Sequence, residues 1–229
     1  WLIVMVFNLT CPLRIHTETS LLRCNMSLSN WKGSSGWLSV KDPTGVLNGV
    51  CLQASSGLNQ LCEDYLVKEI GTSNDFNKVH YTVQCDVAYR SDDIFDGAIA
   101  LVARASDYTT SVKKPIVPQK AYIGVFDFEL QRAAIFRRVN AKDSLLFSQD
   151  LSYSIQPNTK NQISLSCYGE SEAGGTTLNL SLNGSILASF NDNSGFQILS
   201  GTAGIQVLGG TVYVNNFAIM ELDSTGKSV

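Results

Sequence analysis

Along TLNLSLNGSILASFND, Leu178, Leu180 and Leu182 alternate with Asn179, Ser181 and Asn183, the period-two pattern of a strand with one buried and one wet face. Asn183-Gly184 supplies a turn, because Asn-Gly suits the positive-φ geometry of a two-residue hairpin loop. Ile186, Ala188 and Phe190 then resume the apolar alternation. The pattern predicts a hairpin, followed by two more strand units in SGTAGIQVLGG and TVYVNNFAIMEL. Leu178, Leu180, Leu182, Ile186, Phe190, Ile205 and Val207 are expected in one core, with Asn179 and Ser181 pointing outward.

The same texture runs back to about Asn30. GWLSV, GVCLQA, DYLVKEI, KVHYTVQCDVAY, GAIALVARA, AYIGVFDFEL, AAIFRRV, LLFSQDL and QISLSCY are short apolar-alternating runs separated by turn residues. Strands at this density, with no sustained helical segment between them, predict an all-β fold, a two-sheet antiparallel sandwich. GAIALVARA is apolar on both faces and is expected to lie centrally. Residues 58–70 are ambiguous: Leu58, Leu61, Cys62, Tyr65, Leu66 and Glu69 fall at helical spacing, yet the surrounding sheet pattern favours a strand over 64–70. TSVKKPIVPQK reads as a long loop within the sandwich. A chain of 229 residues suits one all-β domain, divided as an N-terminal extension or strand over 1–29, a sandwich over 30–222 and a tail over 223–229.

Charge changes the picture by exclusion. Charged residues make up 16% of the chain and the net charge is −3, which is not the clustered cationic footprint of a nucleic-acid binder. The run WLIVMVFNL is far shorter than the ~20 apolar residues that span a bilayer, and it reads as a buried strand, with the remnant of a signal segment as second choice; no transmembrane segment is expected. Cys11, Cys24, Cys51, Cys62, Cys85 and Cys167 contain no CxxC pair and the only histidines are His16 and His80, so a zinc site is not expected. Cys85 and Cys167 share strand faces with apolar residues and read as core thiols. Cys51 and Cys62 bracket a Gly/Ser-containing connection and form the expected disulfide if the compartment is oxidising; Cys11 with Cys24 brackets a similar span. Asn8, Asn25, Asn179 and Asn183 head glycosylation sequons, which are compatible with secretion without establishing it.

Read in order, GWLSVKDPTGVLNG, DFNKVHYTVQCDV, GAIALVARASD with AYIGVF, NQISLSCYG, LNLSLNGSILASFND, SGTAGI and VYVNNFAIMEL resemble the concanavalin A-like lectin/glucanase superfamily, whose two-sheet jelly roll includes legume lectins, laminin G-like modules and laminarinase-type glucanases. The resemblance covers roughly residues 30–222 and implies a fold rather than an activity. Its glucanase members carry Glu-x-Asp-x-Glu on one strand face. The nearest run here is Asp127-Phe128-Glu129-Leu130-Gln131, in which Gln131 is an amide that cannot serve as general acid/base. Retaining hydrolysis needs two carboxyl groups about 5–5.5 Å apart, so a non-catalytic member is expected. No nucleophile elbow surrounds either histidine, and Gly174-Gly175 and Gly209-Gly210 are explained by turns.

What remains is recognition. Sugars are held by aromatic faces and by planar amides, carboxylates or Arg, and the candidates are Trp37, Arg104, Tyr122, Asp127 and Glu129, grouped if the polar face of the strand carrying the two acids forms a concave sheet. No cofactor is required. Calcium, which many superfamily members use to brace loops, has weak candidates in Asp92, Asp93 and Asp96 with Asp192 elsewhere, whose spacing matches no defined loop. The function expected is a lectin-like glycan-recognition or adhesion module, extracellular, at a cell surface or on a virion, with a glycan or a protein partner in a larger assembly. Alternatives are a structural component of a fibre, filament or shell, and a glycoside hydrolase.

Overall fold

The structure is a computed structural model that describes residues 21–23, 31–33, 36–55, 63–68, 79–90, 97–108, 118–152, 155–169 and 174–229. The described elements are strands. In chain order they are β1 (Leu21–Arg23), β2 (Lys32–Gly33), β3 (Trp37–Lys41), β4 (Val50–Ser55), β5 (Glu63–Lys68), β6 (Tyr81–Ala88), β7 (Ala98–Tyr108) and β8 (Pro118–Asp127). They continue with β9 (Arg132–Val139), β10 (Lys142–Asp150), β11 (Asn161–Tyr168), β12 (Thr176–Leu182), β13 (Ser185–Asp192), β14 (Thr202–Leu208) and β15 (Thr211–Glu221). No helix of the described residues is long and apolar enough to cross a membrane.

Two antiparallel sheets form. One runs β13-β12-β11-β6-β15-β4-β3, with β1 also paired to β15; the other runs β10-β9-β8-β7-β14-β5-β2. β15 is bracketed by β6 on one side and on the other by β4 and then β1. The main core lies between the sheets, where Val83, Leu165 and Leu180 of one face Leu101, Ile135 and Ile205 of the other, all buried, the packing that drives a sandwich to close. GAIALVARA takes the central place in its sheet as β7. Its second apolar face, with Ala98, Ala100 and Val102, joins Ala121, Ile123, Val125 and Ala134 in a separate buried cluster. The ambiguous stretch around Leu66 resolves as β5, because its backbone pairs with β14 from Glu63 to Lys68 and tertiary pairing outweighs a helical spacing of apolar residues.

The C-terminal hairpin forms as the pattern predicts, except at Ile186. Asn183 and Gly184 both take positive φ, 51° and 81°. Leu180 faces Ala188 but Ser181 faces Ile186, so Leu187 is an extra residue on β13, a β-bulge. The bulge reverses the alternation before it: Leu178, Leu180, Leu182, Ile205 and Val207 are buried, while Ile186 is 61% exposed. Phe190 is partly buried against the core. Ser181, expected outward, is itself mostly covered.

Cys51 is free and buried, as are Cys85 and Cys167, the last two inside as their strand faces predict; Cys51 packs with Leu47, Ala88 and Tyr213. Cys62, its expected partner, lies outside the described residues, as do Cys11 and Cys24. Burial pushes the Cys51 thiol up to about 11, with the charge of Asp42 adding to it. Burial does the same to Cys167, to about 11, against a smaller opposing effect of Arg104, and raises Cys85 well above its usual range. Since the thiolate is the nucleophile, iodoacetamide at pH 8 is expected to label none of the three in the folded protein while labelling all three after denaturation. Peptide mapping by mass spectrometry checks this, and native labelling of Cys51 would contradict its placement.

The tail is not loose. Asp223 accepts hydrogen bonds from the backbone N–H groups of Thr225 and Lys227, and Leu222 bridges to Ser228, so 223–229 folds back on the end of β15.

Candidate functional site

The site grows out of one irregularity in β7. The pairing of β7 with β8 shifts between Ala103 and Ser106, and Arg104 there adopts φ 51°, an uncommon conformation for a non-glycine residue. Alternation would send Arg104 to the outer face with Val102. The bulge instead turns it into the interior, where it is 0% exposed. Its guanidinium donates to Thr176 Oγ1 at 2.9 Å and to the Ile198 carbonyl at 2.8 Å, and also to the Val79 carbonyl. Its own backbone N–H donates to Tyr81 Oη at 2.6 Å.

Beside it, Tyr122 of β8 stands opposite Arg137 of β9, so both side chains leave the same face of the sheet. They meet Asp192, the last residue of β13 in the other sheet. Tyr122 donates to Asp192 Oδ2 at 2.7 Å, Arg137 Nη1 lies 2.9 Å from both carboxylate oxygens, and the Ser194 hydroxyl and N–H donate to Oδ1 at 2.7 and 3.2 Å. Burial raises the Asp192 pKa, but the hydrogen bonds from Ser194, Tyr122 and Arg137 together outweigh it and hold the carboxyl below its usual range. Burial pushes the Tyr122 phenol up, and the Asp192 charge adds to that. At neutral pH the cluster is therefore a carboxylate, a neutral phenol and a guanidinium tying the two sheets together.

This cluster holds down the connection 193–201 between β13 and β14. The Ile198 N–H donates to Tyr122 Oη at 3.2 Å, Tyr81 Oη donates to the Gly201 carbonyl at 3.3 Å, and Ser194 also accepts from Arg137. On top, the chain displays Phe196, 68% exposed, and Leu199, 47% exposed, with the Arg137 guanidinium 5.8 Å from the Phe196 ring centroid, within cation–π range. A pocket of about 330 Å³ opens beside them, lined by Ser106, Lys120, Val139, Phe196, Gln197, Ile198, Leu199 and Ser200. Ser106, Lys120 and Val139 are cross-strand neighbours. Lys120 is paired with Asp107 at 2.9 Å and Arg137 with Asp192, so the site carries no surplus charge.

The residues singled out from the sequence do not converge as expected. Trp37 is buried in the main core, and Tyr122 and Arg104 are inside, so none of the three is a surface residue; Tyr122 and Arg104 instead support the 193–201 connection from beneath. The run from Asp127 to Gln131 is not one strand. β8 ends at Asp127, whose Oδ1 accepts the Leu130 N–H at 2.8 Å, and Phe128–Gln131 form the turn into β9. Glu129 is exposed there and Leu130 is exposed too. Nor is there a polar concave face on this strand: the neighbours of Asp127 on its side of β8 are Ile123 and Val125, both in the second apolar cluster. Asp192, considered for calcium, has both oxygens engaged by Arg137, Tyr122 and Ser194. Asp92, Asp93 and Asp96 lie outside the described residues, among which no three His, Cys, Asp or Glu side chains are grouped to hold a metal ion.

Phe196, Arg137 and Lys120 were missed. The signal for Phe196 was present: NDNSGFQ sets an aromatic in a polar, glycine-containing connection with no apolar alternation around it, a context in which burial is not dictated. Arg137 and Lys120 gave no comparable signal.

No protein-family model matches the sequence, and no curated protein matches it. Solved structures do. Carbohydrate-binding module CBM66 from Bacillus subtilis superposes with a TM-score of 0.59 at 16% identity, over 84% of this chain and 96% of that one. This chain has the concanavalin A-like fold. The Emp47p carbohydrate recognition domain gives 0.54 at 12% identity, over 84% and 88%, and alginate lyase vAL-1 from Chlorella virus gives 0.57 at 12% identity, over 88% and 99%. At these identities the likeness concerns the fold, and the sandwich it covers extends across nearly the whole of each of those chains.

Proposed function

We propose that the protein is a non-catalytic carbohydrate-binding β-sandwich, and that its sugar-binding surface is the 193–201 connection with the pocket beside it. The observation that carries this reading is Phe196: a side chain 68% exposed on a backbone fastened from beneath, next to a pocket whose lining includes the polar residues Ser106, Lys120, Gln197 and Ser200. An exposed aromatic ring stacks on the C–H face of a pyranose or furanose, and short polar side chains reach its hydroxyls. Both cations already face carboxylates, which favours a neutral saccharide over an acidic one. The described lining holds no carboxylate, whereas glycoside hydrolysis ordinarily uses two. Carbohydrate-binding structures among its likenesses support the reading, and such a module would work outside the cell, on a surface or within a larger assembly, where polysaccharides are met.

A glycan array probed with the full chain is expected to return neutral oligosaccharides. Phe196→Ala is expected to weaken that binding about tenfold, the loss of one stacking contact of ~1–1.5 kcal/mol, while leaving the melting temperature nearly unchanged because the ring is mostly in water. Binding that survives Phe196→Ala moves the surface elsewhere. Release of reducing ends, or of an unsaturated uronate from alginate, would replace the binding module with an enzyme.

A further inference from the structure

Ile198 is gripped at both ends of its own backbone. Its N–H donates to Tyr122 Oη at 3.2 Å, its carbonyl accepts from Arg104 Nη1 at 2.8 Å, and its side chain is buried. The two grips come from adjacent strands, since Ala103 of β7 pairs with Tyr122 of β8. Both side chains are fully buried. Arg104 can reach the loop only because the bulge at its φ of 51° turns it inward, and such a bulge re-aims a side chain beside a functional surface. The two flanking displays, Phe196 and Leu199, lie two residues before and one residue after this fixed point.

We propose that Tyr122 and Arg104 are positioning residues that clamp the Ile198 backbone and thereby hold Phe196 and Leu199 in a fixed, pre-formed arrangement for ligand. This rests on the reading of 193–201 as the binding surface. A loop ordered before binding loses less conformational entropy when ligand arrives, so the clamp acts on affinity without touching sugar. It also accounts for a buried arginine that meets carbonyls and a hydroxyl where an ion pair would be the usual partner.

The test is residue-resolved hydrogen–deuterium exchange on the full chain, wild type against Tyr122→Phe, which removes one hydroxyl and keeps the ring. The Ile198 amide is expected to exchange at least tenfold faster in the variant, while Leu165 and Ile135 in the core strands keep their protection. Asp223→Ala, which opens the C-terminal turn that Asp223 makes with Thr225 and Lys227 and touches neither grip, is expected to leave Ile198 protected. Arg104→Lys provides a second variant that keeps the charge but loses the planar fork, with the same acceleration at Ile198. On the neutral-glycan array, Tyr122→Phe is expected to weaken binding through faster dissociation. The proposal is overturned if Ile198 exchange is unchanged in both clamp variants, if it rises only in step with Leu165, or if Asp223→Ala loosens it equally. A wild-type protein that binds nothing on the array, with Ile198 still released selectively in Tyr122→Phe, would sustain the clamp and remove the carbohydrate reading.

Discussion

Asp192→Ala is expected to lower the melting temperature by roughly 6–12 °C. The side chain of Asp192 is 2% exposed and that of its partner Arg137 15%, so removing the carboxylate leaves a mostly buried guanidinium and the Tyr122 hydroxyl without their main acceptor. Breaking a buried pair in this one-sided way costs about 3–5 kcal/mol. The lower part of that range, ~3 kcal/mol, applies because Arg137 keeps some contact with water, and at about 2–4 °C per kcal/mol for a chain of this size the stated shift follows. Replacing both partners, Arg137→Met with Asp192→Leu, is expected to be less damaging than Asp192→Ala alone, since no uncompensated charge is then buried. Thermal unfolding followed by circular dichroism checks both, and a double variant as unstable as the single one would mean that shape, not charge, holds the sheets together here.

The same group sets a pH dependence. Its folded pKa lies below the ordinary carboxyl value of 3.8, so the unfolded chain binds the proton first as pH falls. The stabilisation it provides is complete at pH values above the unfolded pKa and is lost as pH drops through the folded one. Between neutrality and about pH 5 its contribution should stay flat, with the decline confined to more acidic solution. In Asp192→Ala the stability-versus-pH curve is expected to fall less steeply below that point than in the wild type.

Gly201→Ala is expected to cost about 3–5 kcal/mol, the sum of backbone strain and overpacking. Gly201 has φ 152°, and a methyl group there would collide with the carbonyl of Arg104 and the oxygen of Ala105. Those obstacles are backbone atoms in the bulge that aims Arg104 inward, so relief on one side displaces the clamp on the other. Gly184→Ala is the control, because its φ of 81° is also left-handed but nothing stands within 4 Å of the added methyl; its cost should be only about 1 kcal/mol. Chemical denaturation of the two variants separates the effects. Equal losses would mean that close approach at Gly201 contributes nothing beyond conformation.

Much of the fold was legible because sheet formation writes itself locally. Leu178, Leu180 and Leu182 alternate with polar residues over a span that one strand covers, and Asn183-Gly184 carries its turn geometry in its own chemistry. GAIALVARA, apolar at nearly every position, has no stable place except between strands and between layers, and it occupies the centre of its sheet. The candidate site was hardly legible. Alternation assigned Ile186 to the core and left Arg104 as a candidate for the surface; one inserted residue in β13 and one left-handed residue in β7 reversed both.

The sequence by itself determined the class of fold, the turn at Asn183-Gly184, the central strand and the interior position of Cys85 and Cys167, since each follows from residues adjacent along the chain. Only the tertiary structure decided that Tyr122 and Arg104 look inward, that Asp127 closes a turn instead of lining a cleft, and that Asp192 meets Arg137 across the sheets. Those outcomes depend on bulges, whose single extra residue shifts which face every neighbour occupies, and on contacts between residues 55 or more positions apart, whose energies no local pattern contains.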